Sequence, residues 1–592
     1  MKYLTVLSLT IFCLTFSASS ASAQERTLKE FKEYVKDKFE QLDDHQLNRI
    51  ASAADQDGDN KISATEFAKR MQVIQSVLSG ENKSQLTKQR TLRKDKATPN
   101  PKQSSDVVAM ESLTGSEDAP VLLITADEIA TAWLPFAKWK TANGKLTKIT
   151  TIGQIREKYD ASNIQEKIRL CVRDHIDHHK TRWVILGGDC LPGGKGLVPG
   201  GHTTVHRMEP RGIPTDIVYL SPTNWDADDD GIYGEWDDDQ AAISYPDGTV
   251  GLGRIPVRTK ADIAAFTAKV IAYESNYPTD GFATNMIYTC TERFAYPKVR
   301  NSWDGYVSKA WDGSVGRFFS TETPWDKEDK PGSHDLSSDN LIDLINQKST
   351  GKLHIHGHGH LPAWVLEGSM FTEKHAEKLT NKAAFPLITT VSCNTGEYDS
   401  VKDPSIVEKM LRVPDAGSVA VVAPIRTGKA HFADPADFRL MVQEGKLDGT
   451  SMTMTQYWVN GLSNKASTGH AMMQAKYSMA ESARDSHNYH LCICELNLLG
   501  DPTLDMRSAT PRTASIDVQT KPIKNKTKLT VNTDAPGCTV CVWNGKNVYT
   551  TTTADKQGNA TVKVPTTSEV KVTVSGPNLN STSKSVVITD AE

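Results

Sequence analysis

The run Lys352-Leu353-His354-Ile355-His356-Gly357-His358-Gly359-His360 puts a histidine at every second position, and so gathers four of the chain's 16 histidines. Alternate residues of an extended strand share a face, so His354, His356 and His358 could converge as zinc ligands. Neighbours on one strand nevertheless stand too far apart to chelate tightly without ligands from elsewhere, and no HExxH pattern supplies them. Gly357 and Gly359 suggest instead that the backbone bends, or is closely approached, around His358. A different chemistry needs a nucleophile. Downstream, the apolar run "FPLITTV" ends abruptly in Ser392-Cys393-Asn394-Thr395-Gly396. In α/β folds the reacting groups sit at the carboxyl ends of strands, and a histidine at one tip beside a cysteine at another activates the thiol. A buried structural cysteine is an equally open reading of this spacing. Cys171, Cys190 and Cys290 sit in or beside apolar runs and read as packing.

Two acidic loops have the chemistry of calcium sites. From Asp55 to Glu66, the side-chain oxygens of Asp55, Asp57, Asp59, Ser63 and Glu66 and the backbone carbonyl of Lys61 fall in EF-hand order. Asn60 replaces the usual glycine of the turn and tolerates left-handed geometry; Ile62 takes the apolar position where paired loops touch. Between Trp225 and Glu235, Asp226, Asp228 and Asp230 repeat the hard-oxygen pattern without a closing glutamate. Clustered carboxylates repel one another unless a cation neutralises them, so calcium is expected here too, with a solvated acidic loop as the alternative.

The elements that must position these residues follow from apolar patterning. Residues 24–80 read as a helical segment around the EF-hand loop, with Phe31, Tyr34, Val35 and Phe39 at helical spacing. Residues 81–115 turn polar and basic, as a solvated linker does. Over 116–512, "PVLLITA", "KITTI", "WVILGGD", "AFPLITTVSC" and "AGSVAVVAPI" read as strands, with helices near 129–141 and over 164–178. Strands alternating with helices predict an α/β domain with a mostly parallel sheet covered on both faces. Residues 513–592 carry short threonine- and valine-rich runs between turn residues, the texture of an immunoglobulin-like β-sandwich.

At 592 residues several domains are expected, and a net charge of −4 gives no reason to expect a nucleic-acid or membrane-surface partner. Residues 1–23 pair Lys2 with a short apolar core and end in Ala21-Ser22-Ala23, the pattern of a secretory signal peptide. Export to a periplasmic, surface or extracellular location is therefore expected, with no membrane span. An oxidising compartment permits local disulfides, and Cys538 and Cys541 are close enough in sequence for one.

Gly357-His358-Gly359 after one apolar strand and Cys393 after the next resembles the catalytic pair of gingipain-like cysteine peptidases, a family of the caspase-like fold group. The resemblance extends over roughly 118–592. It includes "LLITADEIATAWLPFAKWKTANG", "WVILGGD", "WDADDDGIYGE", "VGLGRIPVRT" and "LNLLGDPTLDM" in order. It implies an endopeptidase acting on protein or peptide substrates through a thioester. Cys393 would attack, His358 would shuttle protons, and the backbone N–H groups of Gly359 and Cys393 would hold the oxyanion. By the same resemblance Glu292 would orient the histidine. Asp304, with one residue of slippage, would receive a basic P1 side chain, and Phe432 stands where the gingipain pattern has tryptophan. The EF-hand segment and linker would occupy the place of a pro-segment, removed by cleavage within 86–103; full activity of one intact exported chain by mass spectrometry would refute that. The competing functions are a catalytically inactive, calcium-dependent adhesion protein and a zinc hydrolase built on the histidine run.

Overall fold

The computed structural model describes residues 26–38, 61–62, 114, 116–191, 196–203, 212–228, 233–236, 239–276, 278, 281–291, 311, 313–319, 336–366, 368–401, 404–428, 449–566 and 569–588. The chain divides into two compact units, Met1–Lys102 and Gln103–Glu592. In the first, helix Leu28–Lys38 opens on a capping box in which Thr27 and Glu30 exchange side-chain and backbone hydrogen bonds at 2.9 and 3.3 Å. Lys61–Ile62, at the centre of the expected calcium loop, pairs antiparallel with Arg26–Thr27. The strand contact that a second loop would make is thus made by the residues entering this helix. Asp55, Asp57, Asp59, Ser63 and Glu66 lie outside the described residues.

The second unit is built on a ten-stranded sheet. Its strands are β1 (Val121–Thr125), β2 (Thr147–Thr151), β3 (Trp183–Gly187), β4 (Gly251–Ile255) and β5 (Asn285–Cys290). They continue as β6 (Ser314–Phe319), β7 (Lys352–His356), β8 (Leu387–Thr390), β9 (Ala420–Pro424) and β10 (Leu496–Gly500). The spatial order is β6-β5-β7-β8-β9-β10-β4-β3-β1-β2. Every described pairing is parallel except β9 with β10, which is antiparallel. Two five-stranded parallel halves therefore meet along one antiparallel seam and present their carboxyl ends at opposite edges. All five residues of β1, β4, β7, β9 and β10 are buried, as strands covered by helices on both faces are, including the polar Arg254, Lys352, His354, His356 and Asn497.

The strands and helices expected near 121–187 appear where the apolar runs place them, including a helix over Ile164–His178. The helix expected near 129–141 is a 3₁₀ turn, Asp127–Trp133, running into the helix Leu134–Ala142, with Pro135 in its first turn. Thr151 with Gln154, Thr259 with Asp262 and Ser405 with Glu408 form capping boxes that start the helices Ile152–Lys158, Lys260–Ser275 and Ile406–Arg412. The last of these leads back to β9 and so fixes the return path from the Cys393 loop. No helix among the described residues is long and apolar enough to cross a membrane.

Beyond β10, a three-stranded and a four-stranded antiparallel sheet share a separate core that includes Leu529, Val531, Val540, Val542, Val562 and Val572. Strand Thr539–Trp543 faces two cores at once: Val540 and Val542 enter the sandwich, whereas Cys541 and Trp543 join the core of the large sheet. The local bridge that the spacing of Cys538 and Cys541 would permit does not form. Both are free thiols, Cys538 in the sandwich core and Cys541 facing the other way, its Sγ 3.4 Å from the Thr141 carbonyl oxygen.

Candidate active site

Three strand tips come level at one edge of the sheet. The β7–β8 ladder continues past the strands through a 3.1 Å bond from the Val391 N–H to the Ile355 carbonyl. The β5–β7 ladder continues likewise from the Thr291 N–H to the His356 carbonyl at 3.0 Å. Gly357-His358-Gly359 and Ser392-Cys393 leave adjacent parallel strands side by side, and Thr291 stands at the tip of the third. Gly359–His360 then turns into a short antiparallel sheet with Ala363–Leu366 and Ser369–Thr372. The glycines are there for close approach. A Cβ added at Gly359 would lie 2.7 Å from the Cys393 carbonyl oxygen, 2.7 Å from Ser392 Cβ and 2.6 Å from the Thr395 methyl. One at Gly357 would lie 3.0 Å from the Thr291 methyl.

The histidine run separates into two kinds of residue. His354 and His356 are buried, 5.7 Å apart centre to centre, and both pack on Tyr288. His354 Nδ1 lies 2.7 Å from Thr389 Oγ1, and burial pushes the imidazole down to about 3, so it is neutral at physiological pH. His358 and His360 are exposed. Among the described residues the run forms no cluster of three metal-ligating groups. Of the eight described cysteines, Cys393 alone is not buried. The others are packing groups: burial pushes the thiols of Cys171, Cys190, Cys494 and Cys541 up to about 12.

The turn that carries Cys393 is held tightly. Asn394 has φ 60°, its N–H donates to the Arg426 carbonyl at 2.8 Å, and its side-chain amide donates to Glu397 Oε2 at 3.0 Å. Thr395 Oγ1 donates to the Ser392 carbonyl at 2.8 Å, and the Gly396 N–H to the Pro424 carbonyl at 3.0 Å. Arg426 and its carboxylate partner Asp399 escape a sequence reading, because nothing local distinguishes them from surface charges. Glu292, Asp304 and Phe432 lie outside the described residues; Glu292 directly follows Thr291.

In the second acidic loop, Asp226 and Asp228 bring carboxylate oxygens within 4.8 Å of one another and of Asp239. Asp230 lies outside the described residues. Asp239 comes from the next acidic run, Asp237-Asp238-Asp239, outside the loop that the ligand spacing marks. It is buried and accepts the N–H groups of Ala227 at 2.5 Å and Glu235 at 3.0 Å. Burial raises its carboxyl above the ordinary range, while those two backbone donors pull the other way.

Residues 114–507 match the peptidase family C25. No curated protein sequence matches the chain. Among solved structures, the fold is similar to that of the Arg-specific cysteine proteinase gingipain R (RgpB): TM-score 0.59, 18% identity, covering 81% of this chain and 100% of that one. A complex of Porphyromonas gingivalis RgpB pro- and mature domains matches with TM-score 0.57 and 17% identity, covering 80% and 100%. A further structure, described only as a protease, matches with TM-score 0.57 and 15% identity over 81% and 98%.

Proposed function

We propose, for a chain that belongs to peptidase family C25, that it is a thiol endopeptidase with Cys393 as nucleophile and His358 as proton carrier. One observation carries this reading. The single described cysteine that is not buried stands at a strand tip, packed against the glycine that follows an exposed histidine on the neighbouring tip. In the reaction, the Cys393 sulfur forms a bond to the scissile carbonyl carbon while its proton passes to His358. The carbonyl electrons move onto oxygen, which the N–H groups of Gly359 and Cys393 receive; each such donor lowers the barrier by about 2.7–4 kcal/mol. Collapse of this intermediate breaks the C–N bond, and His358 gives its proton to the departing amine. Water, deprotonated by His358, then attacks the thioester, and the acid product leaves with the thiol restored.

The finer assignments rest on the family resemblance. Glu292 orients His358, and Asp304 receives the basic side chain of a P1 arginine or lysine, with Phe432 on the pocket wall. Calcium fits the hard oxygens of Asp226, Asp228 and Asp239 and, in the N-terminal segment, an EF-hand ligated by Asp55, Asp57, Asp59, the Lys61 carbonyl, Ser63 and Glu66; its role is structural. Export through residues 1–23 and an immunoglobulin-like C-terminal domain complete the proposal. A fluorogenic peptide panel varying P1, run on the exported protein with and without thiol blockade, tests it. Cys393→Ala is expected to abolish hydrolysis while calcium binding and folding persist. Undiminished turnover by that variant would end the assignment, and a chain that neither cleaves nor takes an active-site thiol label would point to adhesion instead.

A further inference from the structure

We infer that Arg426 is a positioning residue that fixes the nucleophile turn through Asn394; the inference rests on the proposal that Cys393 attacks the peptide bond. Arg426 lies just past the end of β9 and is 1% exposed. Its guanidinium forks onto Asp399, Nη1 to Oδ1 at 2.8 Å and Nη2 to Oδ2 at 2.7 Å, and Nε donates to the Gly212 carbonyl at 3.0 Å. Nη1 also lies 3.7 Å from Glu397 Oε2, the same oxygen that accepts the Asn394 side-chain amide. The Arg426 carbonyl in turn accepts the Asn394 N–H. Asn394 is therefore gripped twice by one residue, directly at its backbone and through Glu397 at its side chain.

That grip bears on the reacting sulfur. The peptide joining Cys393 to Asn394 has its N–H tied to Arg426 and its carbonyl oxygen pressed against Gly359, so the plane that leaves the nucleophile is clamped from both sides. A left-handed asparagine costs about 1–3 kcal/mol and persists only where its surroundings over-determine it. A buried arginine between two carboxylates is a poor device for stability alone, because desolvating the charges offsets most of their attraction. Its geometry suits holding a turn. The fork fixes the guanidinium plane, and with it the register of the carbonyl that receives Asn394.

The test uses the full chain, a fluorogenic peptide and a thiol label that counts competent Cys393, so that kcat is expressed per labelled site. Arg426→Gln is expected to lower kcat about 10–100-fold with KM changed less than about threefold, the loss expected of a reacting group misplaced by under an ångström. Arg426→Lys, which keeps the charge without the fork, is expected to recover part of it. A kcat per labelled site within about twofold of the native enzyme, with only the melting temperature lowered, would show a merely structural ion pair and overturn the inference. If Arg426→Gln does not fold, Asp399→Asn is read by the same criterion. Cys393→Ala run alongside separates the two claims. Turnover by that variant defeats the function itself, whereas its silence beside a fully active Arg426→Gln defeats only the role of Arg426.

Discussion

Adding one methyl group at Gly359 probes how closely the histidine and cysteine tips approach. The new Cβ would fall 2.7 Å from both the Cys393 carbonyl oxygen and Ser392 Cβ, short of the 3.4 Å of ordinary contact by about 0.7 Å. Neither obstacle can rotate away, since one is backbone and the other is a Cβ atom. The Thr395 methyl, at 2.6 Å, is held in place by the bond from its hydroxyl to the Ser392 carbonyl. The two tips must therefore part by most of that 0.7 Å. As proposed oxyanion donors, the N–H groups of Gly359 and Cys393 would have to converge to about 2.7–3.1 Å on one oxygen, so such a parting would remove one of the two bonds. Gly359→Ala is expected to lower kcat about 10²–10³-fold, the loss that follows removal of one such donor. Overpacking is expected to cost about 1–3 kcal/mol of stability, read as a lower melting temperature. Kinetics per labelled thiol at a temperature where the variant is folded separate the two effects. Gly368→Ala is the control: at φ +61° with nothing within 4 Å of the added methyl, it is expected to lose about 1–2 kcal/mol of stability and no kcat. A folded Gly359→Ala enzyme with kcat within about threefold of the native one would refute the close approach.

Asp239→Asn is expected to weaken calcium binding at the second acidic loop and to shrink the rise in melting temperature that calcium produces; an unchanged calcium titration by calorimetry would remove Asp239 from the site. Burial holds His175 and His490 at about 4 and His354 at about 3, against about 6.5 when unfolded. Between those values the unfolded chain binds protons that the folded one does not, so stability is fully present above pH about 6.5 and falls as the pH drops towards 4, by up to about 1.4 kcal/mol per pH unit for each histidine. His354→Gln is expected to flatten that slope in denaturant titrations across the window while leaving kcat per labelled thiol nearly unchanged; an unaltered slope would count against a neutral buried His354.

Much of the fold was legible because its signals are local. β1, β3, β8 and β9 are continuous apolar runs, and the period of two along β7 already separates side chains by face. Glycines on either side of His358 announced a close approach without naming the partner. His354 and His356 pack on Tyr288, a partner that the run itself does not name. Other features had no local signal. The antiparallel β9–β10 seam depends on how two half-sheets meet, with β10 lying more than 70 residues beyond β9.

What the sequence by itself determined was the set of reactive types and their strand tips: a histidine between glycines, a cysteine ending an apolar strand, and carboxylates at metal-ligand spacing. The tertiary structure decided which of the eight described thiols is not buried, that Cys538 and Cys541 face different cores, that Asp239 joins Asp226 and Asp228, and that the Arg426 carbonyl holds the residue after Cys393. The physical reason is that periodicity fixes the face on which a side chain leaves its own strand, whereas burial and hydrogen-bond partnership depend on what other segments lay against that face. For Arg426 and Asp399 the partner is 27 residues away, and for Arg426 and Gly212 it is 214.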